Sequence, residues 1–96
     1  MDVGDIYLAD LHEERTRRVV IISTSRFTAL SGRAIVVPEL GGAPDEVPDP
    51  WRIRIDDGIF AVDRVRSIAA HRLVDHLGRA PSGAVTQLRR ALRAIT

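Results

Sequence analysis

Ninety-six residues, 45% of them apolar but only four aromatic, suffice for one compact core built mostly of Val, Ile, Leu and Ala, and are too few for two. The lack of cysteine excludes a disulfide framework and a thiolate metal site, and three histidines with no cysteine beside them leave no zinc pattern. The net charge of +1 is uneven: residues 49–96 carry nine arginines against five aspartates, a modest basic surface that suits RNA or an acidic protein segment and decides neither.

Residues 5–11 alternate, with Ile6 and Leu8 on one face and Tyr7, Ala9 and Leu11 on the other, which predicts a first strand. His12 to Thr16 is polar and reads as a loop. Arg17 to Thr24 opens with two arginines and continues as an apolar run, the pattern of a strand buried on both faces. An arginine at the mouth of such a strand is held rigidly, and its planar fork fits phosphate oxygens. Ser25 to Gly32 predicts a helical turn, capped by Ser25 and ended by Gly32. Ala34 to Val37 predicts a third strand that lies at an edge or ends at Pro38.

Residues 40–50 hold two glycines and three prolines among acids, a composition that predicts a long acidic loop. Trp51 to Ile55 follows with strict period two, its arginines Arg52 and Arg54 pointing outward as a solvated face. Asp56-Asp57-Gly58 signals a tight turn, and Ile59 to Val62 returns as the hairpin partner, with a continuation through Val65 and Ile68. On that continuation Arg64 and Arg66 share a face. Residues 71–78 fit a short helix or a short strand, and His71 and His76, five apart, suit neither a helix face nor a ligand pair. After Pro81, Ser82 is the expected N-cap of a helix whose apolar stripe is Val85, Leu88, Leu92 and Ile95. The sum is an α+β chain, mostly β: a small, curved antiparallel sheet or SH3-like barrel closed by a C-terminal helix, one domain over residues 1–96.

Five pieces in order carry a family resemblance. They are Gly-Asp-Ile-Tyr-Leu-Ala-Asp-Leu at 4–11, Arg-Arg-Val-Val-Ile-Ile-Ser at 17–23, Ala-Ile-Val-Val-Pro at 34–38, Val-Arg-Ser-Ile at 65–68, and Arg72-Leu73 before the last helix. Together they resemble the MazF/PemK toxin family, small dimeric ribonucleases of bacterial toxin–antitoxin pairs. The resemblance implies a type II toxin, a sequence-selective endoribonuclease that cuts single-stranded mRNA without a metal or cofactor and leaves a 2′,3′-cyclic phosphate. It implies a homodimer and an acidic antitoxin partner.

The resemblance also implies a site. Arg17 stands where family members carry the arginine that stabilises phosphate charge and acts as general acid. His12 stands in a loop like the His-Glu-Gln loops of some members, and a histidine exchanges protons near neutral pH. Asp63 stands where some members place an acid near the scissile phosphate. These three are the candidate catalytic residues, and Arg15, Arg18, Arg64 and Arg66 the candidate RNA contacts. The chain departs from the family at Arg18, where proline is usual, at Leu40, where many members have threonine, and at Ala61, where some have a further arginine. The alternative is a CcdB-like toxin, a non-nuclease that acts on a gyrase-type protein target through the end of its C-terminal helix, or a catalytically silent member that acts by protein binding. With no apolar stretch near the roughly 20 residues of a membrane span and no basic region leading into an apolar run at the N-terminus, the expected location is cytoplasmic.

Overall fold

The apolar run behind the paired arginines becomes the middle strand of the sheet. In the computed structural model, which describes residues 1–40 and 50–96, β2 (Arg17–Ile21) lies between β1 (Asp5–Ala9) and β3 (Arg33–Pro38). Strand β7 (Leu73–Arg79) pairs with β1 and strand β6 (Arg66–Ala69) with β3, all antiparallel. Two further strands, β4 (Arg52–Ile55) and β5 (Gly58–Ala61), form a separate hairpin sheet. The hairpin is joined to the main sheet where β3 ends: Glu39 bridges Phe60, and the Leu40 N–H donates to the Ile59 carbonyl at 2.8 Å. The predicted acidic loop falls largely on residues 41–49, outside the described residues.

Val19, Val20 and Ile21 are fully buried, as a strand covered on both faces requires. Because successive side chains point to opposite faces, they feed two clusters. Val20 joins Ile6, Val37, Ile53, Phe60, Val62 and Leu88 between the two sheets and the last helix. Val19 and Ile21 join Ala9, Leu11, Val36, Ile68 and Leu73 on the other side. Burying one large apolar side chain in this way is worth about 1.5–3 kcal/mol.

The main departures from the sequence expectation have local causes. Helix α1 (Ser25–Ser31) is capped by Thr24, not Ser25: the Thr24 hydroxyl accepts the Phe27 N–H at 3.1 Å. Gly32 does end it, at φ 71°, the left-handed position that glycine adopts without a Cβ clash. Pro38 marks the end of β3 and not an edge strand, since β3 has neighbours on both sides. The first two strands are shorter than the alternation suggests, stopping at Ala9 and Ile21.

The hairpin return does not run on through residue 68. A 3-10 turn at Val62–Arg64 interrupts it, closed by the Val65 N–H on the Val62 carbonyl at 3.1 Å. Val65 packs on the inter-sheet cluster while Ile68 belongs to the opposite one, so a single straight strand cannot serve both. Arg64 therefore sits in a turn and Arg66 on β6, and they do not share a strand face. Residues 73–79 settle as strand, with His71 in a 3-10 turn before it and His76 on it. Helix α2 (Ser82–Ile95) has Pro81 at its N-cap, and Ser82 is its first residue. Its buried line is Ala84, Leu88 and Ala91, with Val85 and Leu92 flanking and Ile95 exposed, a stripe rotated from the predicted one. None of the helices among the described residues is long and apolar enough to cross a membrane.

Candidate active site

Arg17 and Arg18 owe their positions to register. Ala9 pairs with Arg17 and Leu8 with Arg18, while Val19 pairs with Pro38 on the other side. Glu39, the residue that follows β3, is thereby set beside Arg18, and its N–H donates to the Arg18 carbonyl at 2.9 Å. The side chains follow the backbone. Arg18 Nε donates to Glu39 Oε1 at 3.0 Å and Nη2 closes on Oε2. Asp57, in the β4–β5 turn, reaches the same Nη2 at 3.0 Å. Hydrogen bonding to Glu39 above all, opposed by burial and reinforced by Asp57, holds the Arg18 guanidinium charged above its ordinary range. Arg18 in turn holds the Asp57 carboxyl below its ordinary range.

Arg17 is bound differently. Its Nη1 donates to the Glu39 carbonyl at 3.0 Å, which fixes the guanidinium to the end of β3. Glu13, from the β1–β2 loop, faces its other edge, with Oε1 3.1 Å from Nε and Oε2 accepting from Nη2 at 3.2 Å. Each terminal nitrogen keeps one N–H without a partner among the described residues. Arg15, Arg17, Arg18, Glu13, Glu14 and Leu40 line an open cleft of about 680 Å³ at this end of the sheet.

Of the sequence candidates, Arg15, Arg17 and Arg18 thus meet in one cleft, and the fold takes the others elsewhere. His12 is turned out of the cleft. It adopts φ 63°, its N–H donates to the Asp10 carboxylate at 2.9 Å, and it lines a second cavity of about 410 Å³ together with Arg66. Asp63 lies 3.5 Å from Arg52. Arg64 is exposed on the 3-10 turn. Leu40 does line the cleft, and Ala61 is buried opposite Arg52 in the hairpin sheet. Sequence reasoning missed Glu13 and Glu39, the two carboxylates that organise the arginines. The signal for Glu39 was available: with Pro38 ending β3 opposite Val19, the next residue falls beside Arg18. Glu13 carried no signal, because a loop sets its approach to Arg17. No group of metal-ligating side chains assembles among the described residues.

The arrangement offers a fixed cation with donor capacity to spare and a carboxylate in contact with it. Comparison with known proteins agrees with the chain's architecture. Residues 2–96 match the family described as PemK-like, MazF-like toxin of type II toxin–antitoxin system. Among solved structures, the chain is similar to one in the MazE–MazF crystal structure (form II) from Deinococcus radiodurans, with a TM-score of 0.84 and 17% identity over 99% of this chain and 93% of that one. It is also similar to an endoribonuclease in complex with its cognate antitoxin from a mycobacterial species, with a TM-score of 0.85 and 16% identity over 98% and 92%. Mycobacterium tuberculosis toxin MazF-mt6 gives a TM-score of 0.79 and 15% identity over 94% and 93%. At these identities the likeness to solved structures is one of fold. No curated protein matches the sequence.

Proposed function

Since this chain belongs to the PemK-like, MazF-like toxin family of type II toxin–antitoxin systems, we propose that it is a metal-free endoribonuclease that cuts single-stranded RNA to a 2′,3′-cyclic phosphate. The observation that carries this reading is the Arg17 guanidinium, anchored to the Glu39 carbonyl and still offering N–H groups to an open cleft. In-line cleavage needs a base for the ribose 2′-hydroxyl, a cation for the charge gathering on phosphorus, and an acid for the departing 5′-oxygen. Arg17 supplies the cation and donates the proton to the departing 5′-oxygen, and the proton that Glu13 takes from the 2′-hydroxyl restores Arg17 afterwards. Glu13, in contact with it, supplies a base inside the cleft, a role that His12 and Asp63 would fill only after the loop or the Arg52 pair rearranges.

The working form in this reading is a cytoplasmic homodimer held inactive by an acidic antitoxin segment. Endoribonuclease–antitoxin and MazE–MazF complexes among the similar structures support such a partner. An arginine-lined cleft attracts an acidic peptide for the same reason that it attracts phosphate.

The test is incubation of the purified protein and its Arg17→Ala variant with a long, weakly structured RNA in EDTA. Discrete fragments with cyclic-phosphate ends, slowed by about 10²–10³ in the variant, are the expected result. RNA left whole by the wild-type protein overturns the nuclease reading and directs the search to a protein target, as for a CcdB-like toxin.

A further inference from the structure

Two cavities on either side of the β1–β2 loop differ in charge balance. Around the Arg17 cleft, Arg17 and Arg18 are both neutralised, by Glu13, Glu39 and Asp57. The second cavity is lined by Arg33, Arg66, Arg72, His12 and His71 with Ser67, and by no acidic side chain among the described residues. Its arginines rest on neutral oxygens. Arg33 donates to the Ser67 hydroxyl at 2.7 Å and to the Ser67 carbonyl at 2.9 Å, and Arg72 contacts the Asp10 carbonyl at 3.4 Å. Arg66 is exposed and has no hydrogen-bond or ion-pair partner among the described residues. Asp10, two residues before His12, accepts the His12 N–H on its carboxylate and is not part of the lining.

Three guanidinium groups on one cavity, with no carboxylate among the described lining residues, make a positive site that an anion would neutralise, and the neutral acceptors fix Arg33 and Arg72 without consuming their charge. We infer that this cavity is a second phosphate subsite, which holds a backbone phosphodiester of the single-stranded RNA through Arg66, Arg33 and Arg72, with His12 and His71 on its rim. The inference rests on the RNA reading above and names a contact region separate from the Arg17 cleft. The two regions are adjacent because consecutive residues divide them: His12 lines one cavity and Glu13 the other. The left-handed backbone at His12 makes that division. One RNA strand crossing the β1–β2 loop therefore meets both. The five-residue spacing of His71 and His76, which suggests nothing in sequence, is irrelevant: His71 acts with residues of two other segments, and His76 lies on β7.

The experiment measures binding of a fluorescent 2′-O-methyl RNA, which lacks the attacking hydroxyl, as a function of salt concentration. Wild type, Arg66→Gln and Arg66→Lys are compared, and cleavage of ordinary RNA is followed in parallel. Arg66 makes no side-chain hydrogen bond or ion pair among the described residues, so its loss leaves the fold in place, and circular dichroism of each variant checks this. The expected result is that Arg66→Gln lowers the slope of log affinity against log salt by about 0.7, the value for one lost phosphate contact on a single strand. The weakening is uniform across two unrelated RNA sequences, and Arg66→Lys restores most of the slope. An unchanged slope in Arg66→Gln, or no binding by the wild type, overturns the subsite. Cleavage by the wild type with an unchanged slope removes only this inference. A slope that depends on Arg66, in a protein that leaves RNA whole, keeps the subsite and removes the nuclease reading.

Discussion

Arg18 and Glu39 face each other across adjacent strands through two guanidinium–carboxylate contacts, and Asp57 of the hairpin turn closes on the same guanidinium. The contact joins the main sheet to the small one at the point where β3 ends. Both partners are partly shielded, with side chains 30% and 20% exposed, so the pair exceeds a fully solvated one but stays modest. Glu39→Gln is expected to lower unfolding stability by about 1 kcal/mol, read from urea denaturation. A double-mutant cycle with Arg18→Gln then shows a favourable coupling energy, and a coupling of zero removes the brace from the account.

Gly58 lies directly beneath that brace. A Cβ built on it meets the Glu39 carboxylate and comes within 2.8 Å of Arg18 Nη2. Gly58→Ala must displace the far ends of two side chains, and it should cost about as much stability as breaking the pair, about 1 kcal/mol. In a Glu39→Ala background the added methyl has room, and the cost should largely vanish. Additive losses in the double variant would mean that the methyl clashes with backbone instead.

The Asp57 contact carries a pH signature. Its carboxyl is held below the ordinary range by Arg18, so in the folded state it stays ionised at pH values where the unfolded chain has already taken up a proton. The contribution is complete above the ordinary aspartate pKa of about 3.9 and is lost as the pH falls through the lower folded value. Asp57→Asn should therefore destabilise the protein slightly near neutrality and hardly at all in strong acid, and added salt should shrink the neutral effect. Thermal melts of both proteins across the acid range decide it. A gap that widens on acidification contradicts the sign.

Glu13 holds the edge of Arg17 that a phosphate would use, and in the proposed mechanism it is also the base. Glu13→Gln removes both roles and separates them by readout. Binding of an uncleavable RNA should tighten, because a carboxylate no longer competes for Nε and Nη2. Cleavage should slow by about 10²–10⁴, the range for losing a positioned general base. Tighter binding with faster cleavage would assign Glu13 a purely inhibitory role.

What the sequence revealed and hid follows from the range of the forces involved. The buried β2, the Asp56–Gly58 turn and the Gly32 helix stop are local, dictated by hydrophobic patterning and by backbone freedom, and they are found where the pattern puts them. The break after Val62 was hidden because Val65 and Ile68 both look like core residues, and only the tertiary structure assigns them to different clusters. The candidate site was half legible. Arg17 is marked by its place before a buried run, but the turn at His12 depends on one residue entering the left-handed region, which the loop's composition does not announce. Asp63 has Arg52 as its neighbour in space, eleven residues away in sequence and brought close by the hairpin.

Helix α2 provides a test of how far a sequence stripe can be trusted. The spacing of Val85, Leu88, Leu92 and Ile95 weights all four equally. In the folded chain Leu88 is 2% exposed and packs among Phe60, Val62 and Ile53, Leu92 only flanks that cluster, and Ile95 is 39% exposed. The alanines at 84 and 91 take the inner positions because α2 lies close against the hairpin sheet, where larger side chains would hold it off. Leu88→Ala should then cost about 3 kcal/mol, as burial and an unfilled cavity together require, while Leu92→Ala costs about 1 kcal/mol from its smaller buried area. Ile95→Ala should leave stability nearly unchanged. Urea unfolding of the three variants measures the gradient. Equal losses at 88, 92 and 95 would place the predicted stripe, and not the rotated one, against the core.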